Sequence, residues 1–391
     1  MGGGLAFMAF ILPIQSTGSR LIQLDVVRCV AVVLVLMNHT FFLDLTVEAR
    51  QALRYLVPLF RAGDIGVPIF FVLSGFLIGG LLLQEIAKTG TVRPGRFLVR
   101  RGFKIYPPFY LVVGLYAAYL HWFEGSLNME RLLRELFFVQ NYGIGGFLDV
   151  SWSLAVEEHF YLLFILLVMV LLRREAKDGG GVEKAVRVLR PVVAIALVLM
   201  AVCWALRCAA FLPLSVEEIA KRSPTLQTHF RIDALFAGAA LAWARFAGWR
   251  PGWLARPGVR WLALVGVIGV FALNGIPSSN LSLHFKKTHY LVMLTVASGV
   301  LLWLALDWKP GNRGLWRVMG WIGRNSYGIY LVHVPFYRFL NKTPVTAWAQ
   351  GLPAWLWVLL AWAAATGVGI LMTRLIEVPA LRLRARLCPP S

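Results

Sequence analysis

The stretch LDVVRCVAVVLVLMNHTFF, residues 24–42, is apolar enough to lie in hydrocarbon, yet it contains Arg28 and His39. If the stretch is an α-helix, the step from Arg28 to His39 amounts to three turns plus about 20° of rotation. The two side chains then lie on one face, about 16 Å apart along the axis. Ionisable side chains within a membrane helix normally face protein or a water-filled cavity. The stretch therefore predicts a membrane helix with one polar face turned toward the protein interior.

The composition of the whole chain favours a membrane protein. Of the 391 residues, 59% are hydrophobic and 15% are charged, unlike an ordinary soluble domain. Ten apolar stretches, most of them near the length that spans a bilayer, indicate transmembrane helices. They lie at residues 24–43, 65–84, 107–123, 153–172, 191–212, 232–247, 260–275, 289–306, 325–340 and 354–375. We expect an all-α, polytopic membrane protein with about ten transmembrane helices.

The distribution of positive charge predicts the orientation in the membrane. The formal net charge is +20, which in a soluble protein would suggest a nucleic-acid partner. If odd-numbered helices run outward, the inner segments contain 25 of the 39 Lys and Arg residues and the outer loops contain 12. This asymmetry follows the positive-inside rule and places both termini in the cytoplasm. It leaves no excess of charge that requires nucleic acid.

The chain is predicted to form one membrane domain. Residues 1–19 contain an apolar run without a preceding basic residue or a cleavage site, so we interpret them as an N-terminal extension rather than a signal peptide. Residues 20–386 are expected to form the transmembrane domain, followed by a short tail at 387–391. The loops are too short for a second domain. The cysteines show no CxxC or zinc-ligand spacing, so neither a disulfide framework nor a structural metal is expected.

Ionisable residues on three of the predicted helices fall at a similar depth. His39 and the pair Glu157 and Glu158 lie near the outer ends of the first and fourth helices. His333 lies near the outer end of the ninth helix, with Tyr330 one turn below it. Each group is costly in lipid, so we expect them to face a shared polar cavity or one another. Singly, each also fits a structural role as a packed histidine or an interfacial carboxylate.

A basic cluster precedes the predicted third helix. The sequence RPGRFLVRRGFKIYPPFY contains Arg100, Arg101 and Lys104, and Pro107 and Pro108 are expected to set the start of the helix. Arg100 and Lys104 are one turn apart if the segment is helical, and such a cluster suits phosphate binding through charge-assisted hydrogen bonds. The alternative is ordinary anchoring by positive residues on the cytoplasmic side.

The second apolar stretch contains FFVLSGFLIGG, with Gly75 and Gly79 at GxxxG spacing. Small residues at this spacing let two membrane helices approach closely. We interpret the pair as a packing motif, and Ser74 beside it can present a hydroxyl to a cavity.

Seven segments in the same order resemble the acyltransferase 3 family of membrane-bound O-acyltransferases, over roughly residues 20–386. They are Arg28 and His39 with ten residues between them, FFVLSGFLI, RRGFKIYPP, SWSLAVEEHFYLL, FRIDALFAGAALA, SYGIYLVHVP and IEVP. The resemblance implies a ten-helix enzyme, expected in the bacterial inner membrane. Such enzymes take an acyl group, usually acetyl from acetyl-CoA, at the cytoplasmic face and transfer it to a sugar hydroxyl on the far side. The chain departs from the family at His159, where Gln is common, and at Lys104, where Arg is usual.

The residues and the resemblance together imply roles for the site. His39 is the expected general base for the acceptor hydroxyl, and Glu157 or Glu158 is expected to orient its imidazole. In the alternative mechanism His39 itself accepts the acyl group. The expected binding residues for acyl-CoA and the acceptor are Arg28, Arg100, Arg101, Lys104, Ser74, Trp152, Ser153, Arg231, Asp233, Tyr330 and His333.

Acyl-CoA is expected to act as a co-substrate, with no tightly bound cofactor and no metal. The predicted partners are a sugar acceptor and the lipid bilayer, and the acceptor is an envelope polysaccharide or a lipid-linked sugar. Two alternatives remain: acylation of a small glycoside such as a macrolide, and a non-enzymatic transporter or export component. Many relatives carry a C-terminal hydrolase-like domain, so transfer in this chain is expected to finish in the bundle or with a separate protein.

Overall fold

The computed structural model describes residues 21–143, 146–175, 180–221, 225–276, 282–309, 311 and 314–388. The predicted N-terminal extension and the last three residues of the predicted tail lie outside these ranges. Within them the chain folds into helices, with no strand. The predicted all-α class is confirmed.

Ten helices of at least 15 residues in the described part of the chain coincide with the ten apolar stretches. They are α1 (Ile22–Asn38), α2 (Gly66–Thr89), α3 (Pro94–Tyr119), α4 (Trp152–Arg173), α5 (Pro191–Phe211), α6 (Ile232–Phe246), α7 (Pro257–Ala272), α8 (His289–Leu306), α9 (Ser326–Leu340) and α10 (Ala354–Met372). Shorter helices lie between or after them, among them Met129–Leu136, Val182–Leu189, Gly314–Arg324 and Val378–Leu387.

Seven helical segments within the described ranges are long and apolar enough to cross a membrane. They contain α1, α2, α4, α5, α7, α8 and α10. The helices α6 and α9 have 15 residues each, a length of about 22 Å against a hydrocarbon core of about 30 Å. The helix α3 is long enough but carries several Arg and Lys residues in its first three turns. The protein is therefore an integral membrane protein, and the count of ten crossings stays a prediction.

The helix α3 begins earlier than the sequence suggested. Pro94 lies in its first turn, whereas Pro107 and Pro108 lie inside it, so the prediction that this pair sets the start is wrong. The N–H groups of a first turn have no intrahelical partner, so a proline there loses no hydrogen bond. Pro94 therefore suits the start, and Arg100 and Lys104 become helical residues.

The helices α2 and α6 pack backbone to backbone. A Cβ added to Gly75 would lie 1.8 Å from the carbonyl oxygen of Leu235, and one added to Gly238 would lie 2.0 Å from that of Val72. At Gly79 the nearest atom of α6 would be 3.0 Å away. The predicted close packing at the GxxxG pair is confirmed, and α6 is the partner.

Candidate active site

The main cavity lies between α1, α2, α3, α4 and α9 and has a volume of about 150 Å³. Apolar residues of α2, including Phe70, Phe71 and Leu77, form one part of its wall. Charged and hydroxyl groups form the rest. A cavity of this size and polarity can hold several water molecules or part of a ligand.

Four cationic side chains line the cavity: Arg28, Arg101, Lys104 and Arg324. Arg28 donates to Asp25 at 2.7 Å, and Arg324 lies 3.6 Å from the other oxygen of the same carboxylate. Asp25 is 1% exposed and is held between these two cations of the wall. Among the described lining residues these four cations face a single acidic residue, Glu157. The cavity therefore favours an anionic ligand.

Lys104 has an acidic partner that sequence reasoning missed. Its Nζ donates to Oε1 of Glu377 at 2.7 Å, and the other carboxylate oxygen of Glu377 is buried without a hydrogen-bond partner. Glu377 ends a π-helical turn, Thr373–Glu377, directly after α10. Such turns within helices often lie at functional sites. The glutamate of the IEVP segment was a usable signal, because an acid at the end of an apolar stretch needs a partner.

The two adjacent glutamates of α4 have separate partners. Glu157 accepts from Ser74 at 3.1 Å and from Tyr161 at 2.6 Å. Glu158 accepts from Tyr106 at 3.0 Å through one oxygen, and its other oxygen has no hydrogen-bond partner. Tyr161 lines the cavity with Glu157, and its position four residues after Glu157 placed it on the same helix face. Neither glutamate forms a hydrogen bond with His39, so their catalytic role stays a prediction.

His39 and His333 contact each other. The helix α1 ends one residue before His39, which begins a 3₁₀ turn that continues to Phe42. Nδ1 of His39 lies 3.1 Å from Nε2 of His333 and 2.9 Å from the carbonyl oxygen of Val35. His333 is fully buried, whereas His39 is partly exposed. The expectation that ionisable groups of different helices face one another thus holds for this pair.

Tyr330 contacts both the cavity and the histidine pair. It lines the cavity, and its ring centroid is 5.9 Å from that of His333. Its hydroxyl donates to the carbonyl of Val150 at 2.8 Å and lies 2.7 Å from the hydroxyl of Ser153. His39 itself is not part of the cavity wall, so Arg28 and His39 do not share one cavity surface.

The remaining predicted site residues contact other parts of the bundle. Arg100 donates to the carbonyl oxygen of Cys388 at 3.2 Å and is not part of the cavity wall. The guanidinium of Arg231 lies 5.4 Å from the ring centre of Trp152. Asp233 forms a buried ion pair with Arg207 at 3.1 Å. The family departure His159 contacts the hydroxyl of Thr228 at 2.6 Å.

The predicted site residues therefore separate into two sets. Those in the cavity wall are Arg28, Ser74, Arg101, Lys104, Ser153, Glu157 and Tyr330. Those outside it are His39, Arg100, Trp152, Glu158, Arg231, Asp233 and His333. In the part of the chain that the structure describes, no group of three or more His, Cys, Asp or Glu residues is placed to hold a metal ion. All four cysteines are free.

The fold and the site define a helical membrane protein with a cation-lined cavity and a histidine pair near it. The sequence profile of the acyltransferase domain family, acyltransferase 3, matches residues 21–374, which is nearly the whole chain. The chain belongs to this family, as the seven segments indicated.

Several curated proteins are similar to this chain. Peptidoglycan O-acetyltransferase OatA of Listeria monocytogenes is 26% identical over 355 residues, which cover 82% of this chain and 51% of the relative. O-acetyltransferase OatA of Staphylococcus aureus is 26% identical over 72% of this chain and 47% of its own length. Putative peptidoglycan O-acetyltransferase YrhL of Bacillus subtilis is 25% identical over 73% of this chain and 45% of its own length. The chain thus spans about half the length of these relatives. No solved structure matches it significantly.

Proposed function

We propose that this protein is an O-acyltransferase of the bacterial cytoplasmic membrane. It moves an acyl group, in the simplest case acetyl, from acyl-CoA to a hydroxyl of a cell-envelope polysaccharide or its lipid-linked precursor. Membership of the acyltransferase family and the printed names of three O-acetyltransferase relatives support this reaction. The observation that carries the proposal is the cation-lined cavity, whose wall residue Tyr330 contacts His333, the partner of His39.

The donor end of acyl-CoA carries several phosphate groups, and cationic side chains bind phosphate through charge-assisted hydrogen bonds. Arg101 and Lys104 of α3 and Arg324 before α9 supply such groups in the cavity wall. Lys104 donates to Glu377. On donor binding, Lys104 exchanges this carboxylate for a phosphate, or shares its three protons between the two.

The transfer step needs little activation of the donor, because a thioester is already reactive. The acceptor hydroxyl attacks the thioester carbonyl, a C–O bond forms, and the C–S bond breaks to release the CoA thiolate. His39 takes the hydroxyl proton as the C–O bond forms and then passes it to the thiolate. The protein's main task is to hold the two substrates in line, because orientation can contribute more to the rate than general-base catalysis does.

The charge asymmetry of the loops supports a proposed side for each substrate. With both termini in the cytoplasm, the basic start of α3 faces the cytoplasmic pool of acyl-CoA. His39, at the far end of α1, then faces the side on which the envelope acceptor is presented. For direct transfer, the thioester end of acyl-CoA extends along the bundle interior to His39, where the acceptor hydroxyl attacks it.

Purified protein in proteoliposomes, supplied with acetyl-labelled acetyl-CoA, tests this function. We expect the label to appear on a lipid-linked envelope sugar added as acceptor, with release of free CoA. Label found on an added macrolide, with none on the envelope sugar, would favour a small glycoside as acceptor. Movement of an unmodified sugar across the vesicle, without CoA release, would identify a transporter and contradict the proposal.

A further inference from the structure

The hydrogen bonds of His333 fix which of its ring nitrogens carries a proton. Its Nδ1 lies 2.7 Å from the carbonyl oxygen of Tyr330. A carbonyl oxygen only accepts hydrogen bonds, so Nδ1 of His333 carries the hydrogen. His333 is 0% exposed, and a charged imidazolium without a carboxylate partner is costly in such surroundings. The neutral ring then has a free lone pair on Nε2.

The same reasoning fixes the tautomer of His39. Its Nδ1 lies 2.9 Å from the carbonyl oxygen of Val35 and 3.1 Å from Nε2 of His333. Both neighbours are acceptors once His333 is assigned, so Nδ1 of His39 carries the hydrogen and shares it between them.

In this arrangement Nε2 of His39 is unprotonated, and its lone pair has no hydrogen-bond partner among the described residues. The opposite tautomer would place a lone pair of Nδ1 against the carbonyl oxygen of Val35 and the lone pair of Nε2 of His333. Two repulsive contacts would then replace two hydrogen bonds. His39 is also the partly exposed member of the pair, and Nε2 is the ring nitrogen that these two contacts leave available to a substrate hydroxyl.

We propose that His333 is a positioning residue, which holds His39 in the Nδ1–H tautomer and so presents Nε2 of His39 as the base. This inference rests on the proposed acyl transfer and names the group that orients its base. In serine hydrolases a carboxylate performs this task. Here the neutral Nε2 of His333 and the carbonyl of Val35 perform it, and Glu157 is occupied by Ser74 and Tyr161.

The proton balance of the step is complete without a proton on His333. Nε2 of His39 accepts the proton of the acceptor hydroxyl, and the ring becomes an imidazolium with N–H groups on both nitrogens. The Nδ1–H group remains donated to His333 and to Val35, and these two acceptors stabilise the positive ring. The proton on Nε2 then passes to the CoA thiolate, and His39 returns to its starting tautomer.

Kinetics of three variants in proteoliposomes test the role of His333. His333→Leu removes the acceptor, and we expect kcat to fall about ten- to a hundred-fold, less than the loss typical of removing a base itself. KM for acetyl-CoA should stay within about twofold, because the donor cavity is lined by other residues. His333→Gln places a carbonyl oxygen near the position of Nε2 and should recover at least part of kcat. The matched control is Tyr337→Phe, which removes a buried hydroxyl without a partner from a ring 6.0 Å from His333.

A spectroscopic measurement on the unchanged protein tests the tautomer directly. In protein labelled with ¹⁵N-histidine, we expect His39 to show a protonated Nδ1 and an unprotonated Nε2, assigned by the signals lost in His39→Ala. A protonated Nε2 would overturn the inference even if acyl transfer is observed. Equal loss of kcat in the Leu and Gln variants, or a matching rise in KM, would also overturn it. Absence of any transfer by the wild type would instead contradict the proposed function, and the tautomer would still be decided by the spectrum.

Discussion

At the scale of single residues, Arg100 and Arg101 are neighbours in sequence but contact different groups. Arg101 lines the cavity, whereas Arg100 donates to the carbonyl oxygen of Cys388 after α10. Their positions on one helix differ by about 100°, so the two side chains point to different sides of α3. The basic cluster predicted from the sequence is therefore not one uniform phosphate site.

We expect Arg101→Ala to raise KM for acetyl-CoA about tenfold or more, because a hydrogen bond to a charged group contributes about 1.5–3 kcal/mol. Arg100→Ala is the matched control and should change KM by less than about threefold. Initial rates over a range of acetyl-CoA concentrations provide both values. Equal effects of the two substitutions would contradict the assignment of Arg101 to the donor cavity.

His39→Ala should abolish transfer in a protein that still folds and inserts. Removal of an imidazole lowers the cost of placing the segment in lipid, and loss of a general base typically lowers the rate by about 10²–10⁴. Labelled acetyl-CoA in proteoliposomes measures product formation and donor binding separately. The control His121→Ala removes an exposed histidine and should leave both unchanged. Near-normal turnover of His39→Ala would show that His39 has a packing role alone.

Glu135 lies outside the membrane-spanning segments, in the helix Met129–Leu136 between α3 and α4. It is 0% exposed. Burial raises the pKa of this carboxyl from 4.5 to about 7. The folded protein therefore holds a proton on Glu135 at pH values where the unfolded chain has released it.

The free energy of unfolding should therefore fall as the pH rises from about 4.5 to about 7. Above about pH 7, Glu135 should cause no further change. The shift corresponds to a loss of about 3 kcal/mol above pH 7. Glu135→Gln mimics the protonated acid, so we expect it to match the wild type near pH 4 and to exceed its Tm at pH 8. Thermal unfolding in detergent at both pH values measures this difference. A difference in Tm that does not change with pH would contradict the assignment.

At the scale of helices, the packing of α2 on α6 depends on glycine at positions where any side chain would meet backbone. An added Cβ at Gly75 would overlap the carbonyl oxygen of Leu235 at 1.8 Å. The neighbouring atom is backbone, so it cannot rotate aside as a flexible side chain would. Ser74 on the same helix donates to Glu157 on α4, so a shift of α2 also disturbs the cavity wall.

We expect Gly75→Ala to destabilise the protein by about 1–3 kcal/mol, the usual range for overpacking. The matched control is Gly114→Ala in α3, where an added Cβ meets no atom within 4 Å. That control should be neutral or slightly stabilising, because Ala has the higher helix propensity. The amount of monodisperse protein after heating, measured by size-exclusion chromatography, compares the two. A Gly75→Ala protein as stable as the control would show that α2 and α6 can separate without cost.

The boundaries of the helices show where local pattern failed. The apolar stretch of the third helix predicted a start near Pro107, but the charged residues before it also lie in α3. Hydrophobicity identifies the part of a helix that faces lipid or core, and α3 extends beyond that part. The start was marked instead by Pro94, whose missing N–H is tolerated in a first turn.

At the scale of the whole molecule, the distribution of Lys and Arg predicts how the chain crosses the membrane. We expect ten crossings with both termini in the cytoplasm, because the inner segments carry the excess of Lys and Arg. A fluorescent reporter that folds only in the cytoplasm should be active when fused after Ser391. A phosphatase reporter active only outside the cytoplasm should be active in the segment between α3 and α4. The opposite pattern would exchange the sides proposed for donor and acceptor.

The sequence by itself determined the ten long helices, the membrane class, the close packing at Gly75 and the family. Each of these depends on local composition, on spacing along one helix or on the order of short segments. Periodicity and hydropathy report which face of a segment is apolar, and they do so without knowledge of its neighbours. Most of the polar residues that line the cavity were also named, because polar groups in apolar helices must face protein or water.

Only the tertiary structure decided which of these residues meet. His39 and His333 are 294 positions apart, and Lys104 and Glu377 are 273 positions apart. Helix packing brings such pairs together, and the angle and register of that packing depend on side chains of both helices at once. The sequence therefore proposed a glutamate as the partner of His39, whereas the structure places His333 there. The packing of α9 against α1 sets that contact, and it has no local sequence signal.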